Sequence, residues 1–168
     1  MSGADRGVAV RRGLRSSDRE PVRALIESTG FFNAEELAVA MELVDDRLAN
    51  GESSHYRFLV AEVDGAVAGY ACWGPTPGTE QSADLYWIAV GSARQGRGVG
   101  RALLGQAERW MASSGRPRVY VETAGREQYR PTRAFYEACG YEIAAQLDDF
   151  YAPGDSKVIY LRVLPDRP

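Results

Sequence analysis

One histidine, His55, and one lysine, Lys157, are all that these two residue types contribute to a chain of 168 residues. A single imidazole argues against a histidine-based metal site and against a Ser-His-Asp triad. Cys72 and Cys139, the two cysteines, have no metal-ligand spacing and are too few for a disulfide scaffold. Reduced, buried thiols are expected instead, and no metal. No apolar run approaches a transmembrane span, and the opening residues MSGADRGVAVRRG lack the apolar stretch of a signal peptide. A cytoplasmic protein is therefore expected. The formal net charge of −3 offers no overall basic field for nucleic acid. Repeats, low-complexity tracts and interdomain linkers are missing too.

What is present reads as alternating elements. VAVRRGL (8–14) is a short strand candidate. Ser17-Asp18-Arg19-Glu20 predicts a capping box before a helix that turns Val22, Leu25 and Ile26 inward and stops at Gly30. Asn33-Ala34-Glu35-Glu36 predicts a second box, opening a helix with Leu37, Met41, Val44 and Leu48 on one face and Asn50-Gly51 at its end. YRFLVAEV and AVAGYACW flank Asp64-Gly65, a strong hairpin signal. DLYWIAV (84–90) is nearly continuous apolar sequence and predicts a central, buried strand. A helix carrying Leu103, Leu104, Ala107 and Met111 ends near Gly115. PRVYVET predicts the next strand, and PTRAFYEAC a short helix from Pro131 to Gly140. YEIAAQL and KVIYLRV make a closing hairpin through Pro153-Gly154-Asp155. The order is that of one mixed α/β domain.

Between the central strand and the following helix stands RQGRGVGRALL (94–104), with three glycines and three arginines. Glycine costs folding entropy, so such a cluster points to a backbone curled closely round a ligand, and the arginines point to an anion. A dinucleotide fingerprint on Gly96 and Gly98 would need a third glycine where Arg101 stands. A P-loop needs Gly-Lys-Ser/Thr, and no lysine is available. The pattern Gln/Arg-x-x-Gly-x-Gly/Ala is met by Gln95, Gly98 and Gly100. There, successive backbone N–H groups and a helix amino terminus suit a pyrophosphate.

The segment DLYWIAVGSARQGRGVGRALL resembles the acetyl-CoA-binding motif of the GNAT superfamily of N-acyltransferases, and AFYEACGY resembles the family's tyrosine-bearing helix. The likeness extends from about Val8 to Val163. It implies one N-acetyltransferase domain over residues 1–168, with a central, mixed, mostly antiparallel sheet of about seven strands flanked by about four helices. It also implies acetyl-CoA as cosubstrate. The pyrophosphate would lie on the backbone amides of Gly96, Arg97, Gly98, Val99, Gly100 and Arg101, beside Gln95. Ile88, Ala89 and Val90 would pair with the pantetheine arm like an added strand. Many members carry an asparagine ahead of the tyrosine helix; AGREQYRPTRAFY has none, leaving Tyr129 or Thr132 to serve there.

Amide formation requires a neutral amine, stabilisation of the oxyanion and a proton for the leaving thiolate. By the same resemblance, Tyr136 is the candidate donor to the thiolate. Asp84 and Glu122 are candidate bases; the longer Glu122 is favoured, with Asp84 holding or relaying a water. The acceptor site is expected between STGFFNAEE and the closing hairpin, with Phe31, Phe32 and Tyr151 as candidate contacts in or beside loops. The acceptor is a primary amine, on a small molecule or a peptide amino terminus. A non-catalytic acyl-CoA-binding sensor or partner module is the alternative. A homodimer stays open, and neither nucleic acid nor a membrane is expected as a partner.

Overall fold

The computed structural model describes residues 7–165. Among these residues it has four α-helices and a seven-stranded sheet in the order β1 (Ala9–Arg12), β2 (Arg57–Val63), β3 (Ala66–Pro75), β4 (Ser82–Val90), β5 (Arg118–Ala124), β7 (Asp155–Val163) and β6 (Glu142–Ala152). The described pairings are antiparallel except for the parallel pair β4–β5, which matches the expected mixed, mostly antiparallel sheet. Residues cluster into two compact units. One takes residues 7–74 together with Trp87–Ala107; the other takes Pro75–Tyr86 and residues 108–165.

In the first unit, β1 (Ala9–Arg12) leads to helix α1 (Arg19–Ser28). The Ser17–Glu20 box expected at its start is not the one that forms. Asp18, only 3% exposed, accepts the Arg15 backbone N–H at 2.7 Å and pairs with the Arg11 guanidinium at 2.5 Å. One carboxylate thus pins the turn before the helix to β1, while Glu20 pairs outward with Arg19. The second box forms as expected. Asn33 Oδ1 accepts from the Glu36 N–H at 2.9 Å and Glu36 Oε2 from the Asn33 N–H at 2.8 Å, opening α2 (Ala34–Asn50).

The apolar stripes of α1 and α2 close over Phe58, Tyr70 and Cys72, which come from β2 (Arg57–Val63) and β3 (Ala66–Pro75). These strands meet at Asp64-Gly65, with φ of +54° and +76°, as a type I′ hairpin turn requires. Cys72 is buried as expected, but Cys139 is only half-buried.

In the second unit, the first residues of β4 (Ser82–Val90) run beside β5 (Arg118–Ala124), with Ser82 opposite Arg118 and Leu85 opposite Val121. Helix α4 (Arg130–Ala138) has its proline in the first turn. The closing hairpin differs from expectation. The sixth strand, β6, extends over Glu142–Ala152, so Tyr151 lies in a strand, beside the turn at Pro153-Gly154. It survives past Leu147 because its pairing with β7 (Asp155–Val163) slips there. Asp149 takes φ +53° and its carboxylate accepts the Gly154 N–H at 2.6 Å. A bulge closed by an Asx contact replaces the expected strand end.

Candidate functional site

Helix α3 (Val99–Ser113) begins within the glycine run, with Gly100 in its first turn, and its first turns belong to the first unit. Gly96 and Gly98 have φ of +72° and +80°, and a Cβ built on either would meet nothing within 4 Å. Conformation, not crowding, selects glycine here: residues 95–98 are exposed and curl with free space before them. The Gln95 side-chain amide donates to the Val90 carbonyl at 3.1 Å, and the Arg94 N–H reaches the Gly91 carbonyl at 2.8 Å. These two bonds tie the loop to the end of β4. Gln95 therefore shapes the cradle from behind. The curl delivers the chain into α3, where the Ala102 N–H closes on the Gly98 carbonyl at 2.9 Å. The first N–H groups of a helix have no partner within it and favour an anion.

The sequence did not flag Gly69. A Cβ there would stand 2.9 Å from the Ala89 carbonyl oxygen, 3.0 Å from Leu103 Cδ1 and 3.2 Å from Val99 Cγ1. Its absence lets the start of α3 settle onto β3 and β4, which fixes where the loop ends. An isolated glycine inside a strand was the available signal. Ile88 and Val90 are partly exposed while Ala89 is buried, so the central strand is less covered than its apolar sequence predicts. Arg97 and Val99 line a cavity of about 330 Å³ with Arg94 and Asp64. Phe31 and Phe32 meet edge-to-face at 5.1 Å, and Phe32 packs on Trp87 at 5.0 Å.

In the second unit the sheet separates the candidate catalytic groups by face. Asp84 is opposite Tyr120, two residues from Glu122, and Ala124 is opposite Lys157. Side chains alternate along strands, so Asp84, Tyr120, Glu122 and Lys157 share one face. Tyr136 belongs to the other. It packs on Tyr160 at 6.1 Å and Tyr141 at 5.6 Å. The same cluster is tied down by hydrogen bonds from Tyr160 to Glu137 at 2.8 Å and from Tyr141 to Glu108 at 2.9 Å. Burial raises the Tyr136 phenol above its ordinary value, so its hydroxyl stays protonated, as a proton donor must.

Glu122 is not alone on its face. Lys157 Nζ lies 2.8 Å from Glu122 Oε2 and 4.4 Å from the centre of the Phe150 ring. Tyr151 stacks edge-on against Phe150 at 5.0 Å. Burial raises its phenol, with the Lys157 charge opposing and Glu122 and Asp155 adding to the rise. Tyr151 and Glu122, predicted for different roles, therefore stand in one cluster. Tyr129, offered for the missing asparagine, lies under the Arg126 guanidinium at 4.9 Å. Among the described residues no cluster of His, Cys, Asp and Glu is arranged to hold a metal ion, and no helix is long and apolar enough to cross a membrane.

Residues 22–141 match the model of the acetyltransferase (GNAT) family. A crystal structure of a protein assigned to that family, from Desulfovibrio desulfuricans, is 46% identical with a TM-score of 0.91, covering 95% of this chain and 100% of its own. The chain belongs to the GNAT family of acetyltransferases. It is an acyltransferase by membership, with the sheet and helices of that fold. Two more distant acetyltransferase structures share the fold alone. The YncA protein of Salmonella typhimurium, solved with its cofactor acetyl-CoA, is 17% identical with a TM-score of 0.72, each chain being 96% covered. The ribosomal-protein-S18-alanine N-acetyltransferase of Escherichia coli is 20% identical with a TM-score of 0.71, covering 95% of this chain and 96% of its own.

Proposed function

We propose that the chain moves an acetyl group from acetyl-CoA to a primary amine by direct attack, with residues 8–163 as one catalytic domain. The observation that carries this reading is the loop Gly96–Gly98, held at positive φ before an open space at the head of α3. Backbone N–H groups from Gly96 through Arg101 receive the pyrophosphate there, and Gln95 holds the loop's shape. The backbone of Ile88, Ala89 and Val90 pairs with the pantetheine amides. Acetyl-CoA supplies an activated thioester, so no covalent enzyme intermediate is needed.

Glu122 takes the proton of the acceptor amine, with Asp84 on the same face holding or relaying a water. Tyr136 keeps its phenolic proton until the sulfur leaves and then gives it up. Phe31, Phe32 and Tyr151 contact the acceptor. Acceptors that suit these rings are small-molecule amines or a peptide amino terminus, and the free thiols of Cys72 and Cys139 suit a cytoplasmic enzyme. The competing reading, a non-catalytic acyl-CoA-binding module, is favoured by one feature: Glu122 is ion-paired with Lys157.

Thiol release from acetyl-CoA across a panel of amines and amino-terminal peptides separates the two. Turnover with at least one amine is expected. Tight CoA binding without turnover on any of them would leave the binding module as the correct reading.

A further inference from the structure

Lys157 is the only lysine of the chain, and its position is unusual for a surface cation. Its side chain is 16% exposed, its ammonium is 2.8 Å from Glu122 Oε2, and the Phe150 ring covers it at 4.4 Å. A general base must lie within hydrogen-bond reach of the proton it removes, about 2.6–3.2 Å between heavy atoms. Lys157 Nζ stands within that reach of Glu122 Oε2.

We propose that Lys157 is an acetylation site of the protein itself, modified by its own acetyl-transfer activity. The inference rests on the reading of Glu122 as the base. One proton of the Lys157 ammonium passes to Glu122, and the neutral Nζ forms a bond to the acetyl carbonyl carbon. The C–S bond breaks with its electron pair on sulfur, which takes a proton from Tyr136. Tyr136 is reprotonated from solvent. A second proton leaves the new amide nitrogen, and Glu122 returns its own to solvent. The products are Nε-acetyl-lysine and free CoA, with no oxidant or further reactant.

The mark would change the site. An acetylated Lys157 carries no charge, so both the ion pair to Glu122 and the cation–π contact with Phe150 disappear. Glu122 Oε2 then loses its ion-pair partner.

The test is incubation of the full chain with acetyl-CoA and no added amine, followed by intact mass and peptide mapping. One acetyl group on Lys157 is expected, absent from Lys157→Arg and formed at least about 100-fold more slowly in Glu122→Gln, the scale of general base catalysis. Heat-unfolded chain gives the purely chemical rate, and calorimetry with CoA confirms that Glu122→Gln is folded. Tyr136→Phe provides a second slowed variant. Equal labelling of the unfolded chain or of Glu122→Gln, or label confined to the amino terminus, would overturn the inference. Running the amine panel on the same wild-type preparation separates the two failures. Turnover with no mark on Lys157 removes this inference alone; neither turnover nor mark removes the proposed function with it.

Discussion

In the first unit the residues proposed to hold the cofactor are glycines at φ +72° and +80° in an exposed loop, and the ligand-facing atoms are backbone. In the second unit the residues proposed for chemistry are side chains on the two faces of a sheet: a phenol 4% exposed on one, and carboxylates on the other, one of them paired with Lys157. A backbone site depends on local conformation, which a few neighbouring residues set. A side-chain site depends on what strands far apart in sequence bring together. The first is expected to depend on its glycines, and the second on the side chains its strands bring together.

The largest expected effect follows from breaking the first unit's conformation. Gly98→Asp puts a side chain on φ +80° and a negative charge where a pyrophosphate sits, so CoA affinity should fall by more than about 100-fold. Unchanged affinity by calorimetry in a folded variant would remove the phosphate cradle. Next is Tyr136→Phe in the second unit, which keeps the ring contacts with Tyr141 and Tyr160 and deletes only the hydroxyl. A drop of about 100-fold in kcat with little change in KM for acetyl-CoA is expected. A loss under about threefold, with chemistry rate-limiting, would strike the phenol from the mechanism.

Gly69→Val tests whether packing behind the loop matters as much as the loop itself. The added side chain meets the Ala89 carbonyl and the start of α3, and overpacking of this kind costs about 1–3 kcal/mol. Denaturant unfolding should show that loss, together with weaker CoA binding. The smallest effect is read by pH, at a phenol of the second unit. Burial and the bond to Glu137 push the Tyr160 phenol up to about 12, against about 10 in an unfolded chain. The folded state therefore holds this proton more tightly. Its contribution to stability is complete below about pH 10 and is lost as pH rises toward about 12. Tyr160→Phe should flatten the fall in denaturation midpoint over that range; an unchanged slope would show that Tyr160 does not govern it.

The same contrast explains what the sequence made legible. The Asn33–Glu36 box, the Asp64-Gly65 turn and the Gln95–Gly100 pattern each act within a few residues, and each was readable. The order of strands and helices followed from such local signals. Asp18 was misread because its decisive partner, Arg11, lies in another element, and the Ser17–Glu20 box looked as good on local grounds. The length of β6 was missed because Asp149 and Gly154 close a bulge in a stretch composed like a turn. Gly69 was silent because its reason is the approach of Val99 and Leu103 from α3. Lys157 was visible as the lone lysine, but its contact with Glu122 joins β7 to β5, and no spacing announces it. The opposite faces of Tyr136 and Glu122 likewise required the register of β5 with β7.

Amide NMR during a titration with acetyl-CoA reads its recognition by the backbone of one short loop residue by residue. The largest shifts are expected on the N–H groups of Gly96, Gly98 and Gly100 and their neighbours through Arg101, saturating together. Saturable binding that leaves those amides unmoved while others shift would contradict it.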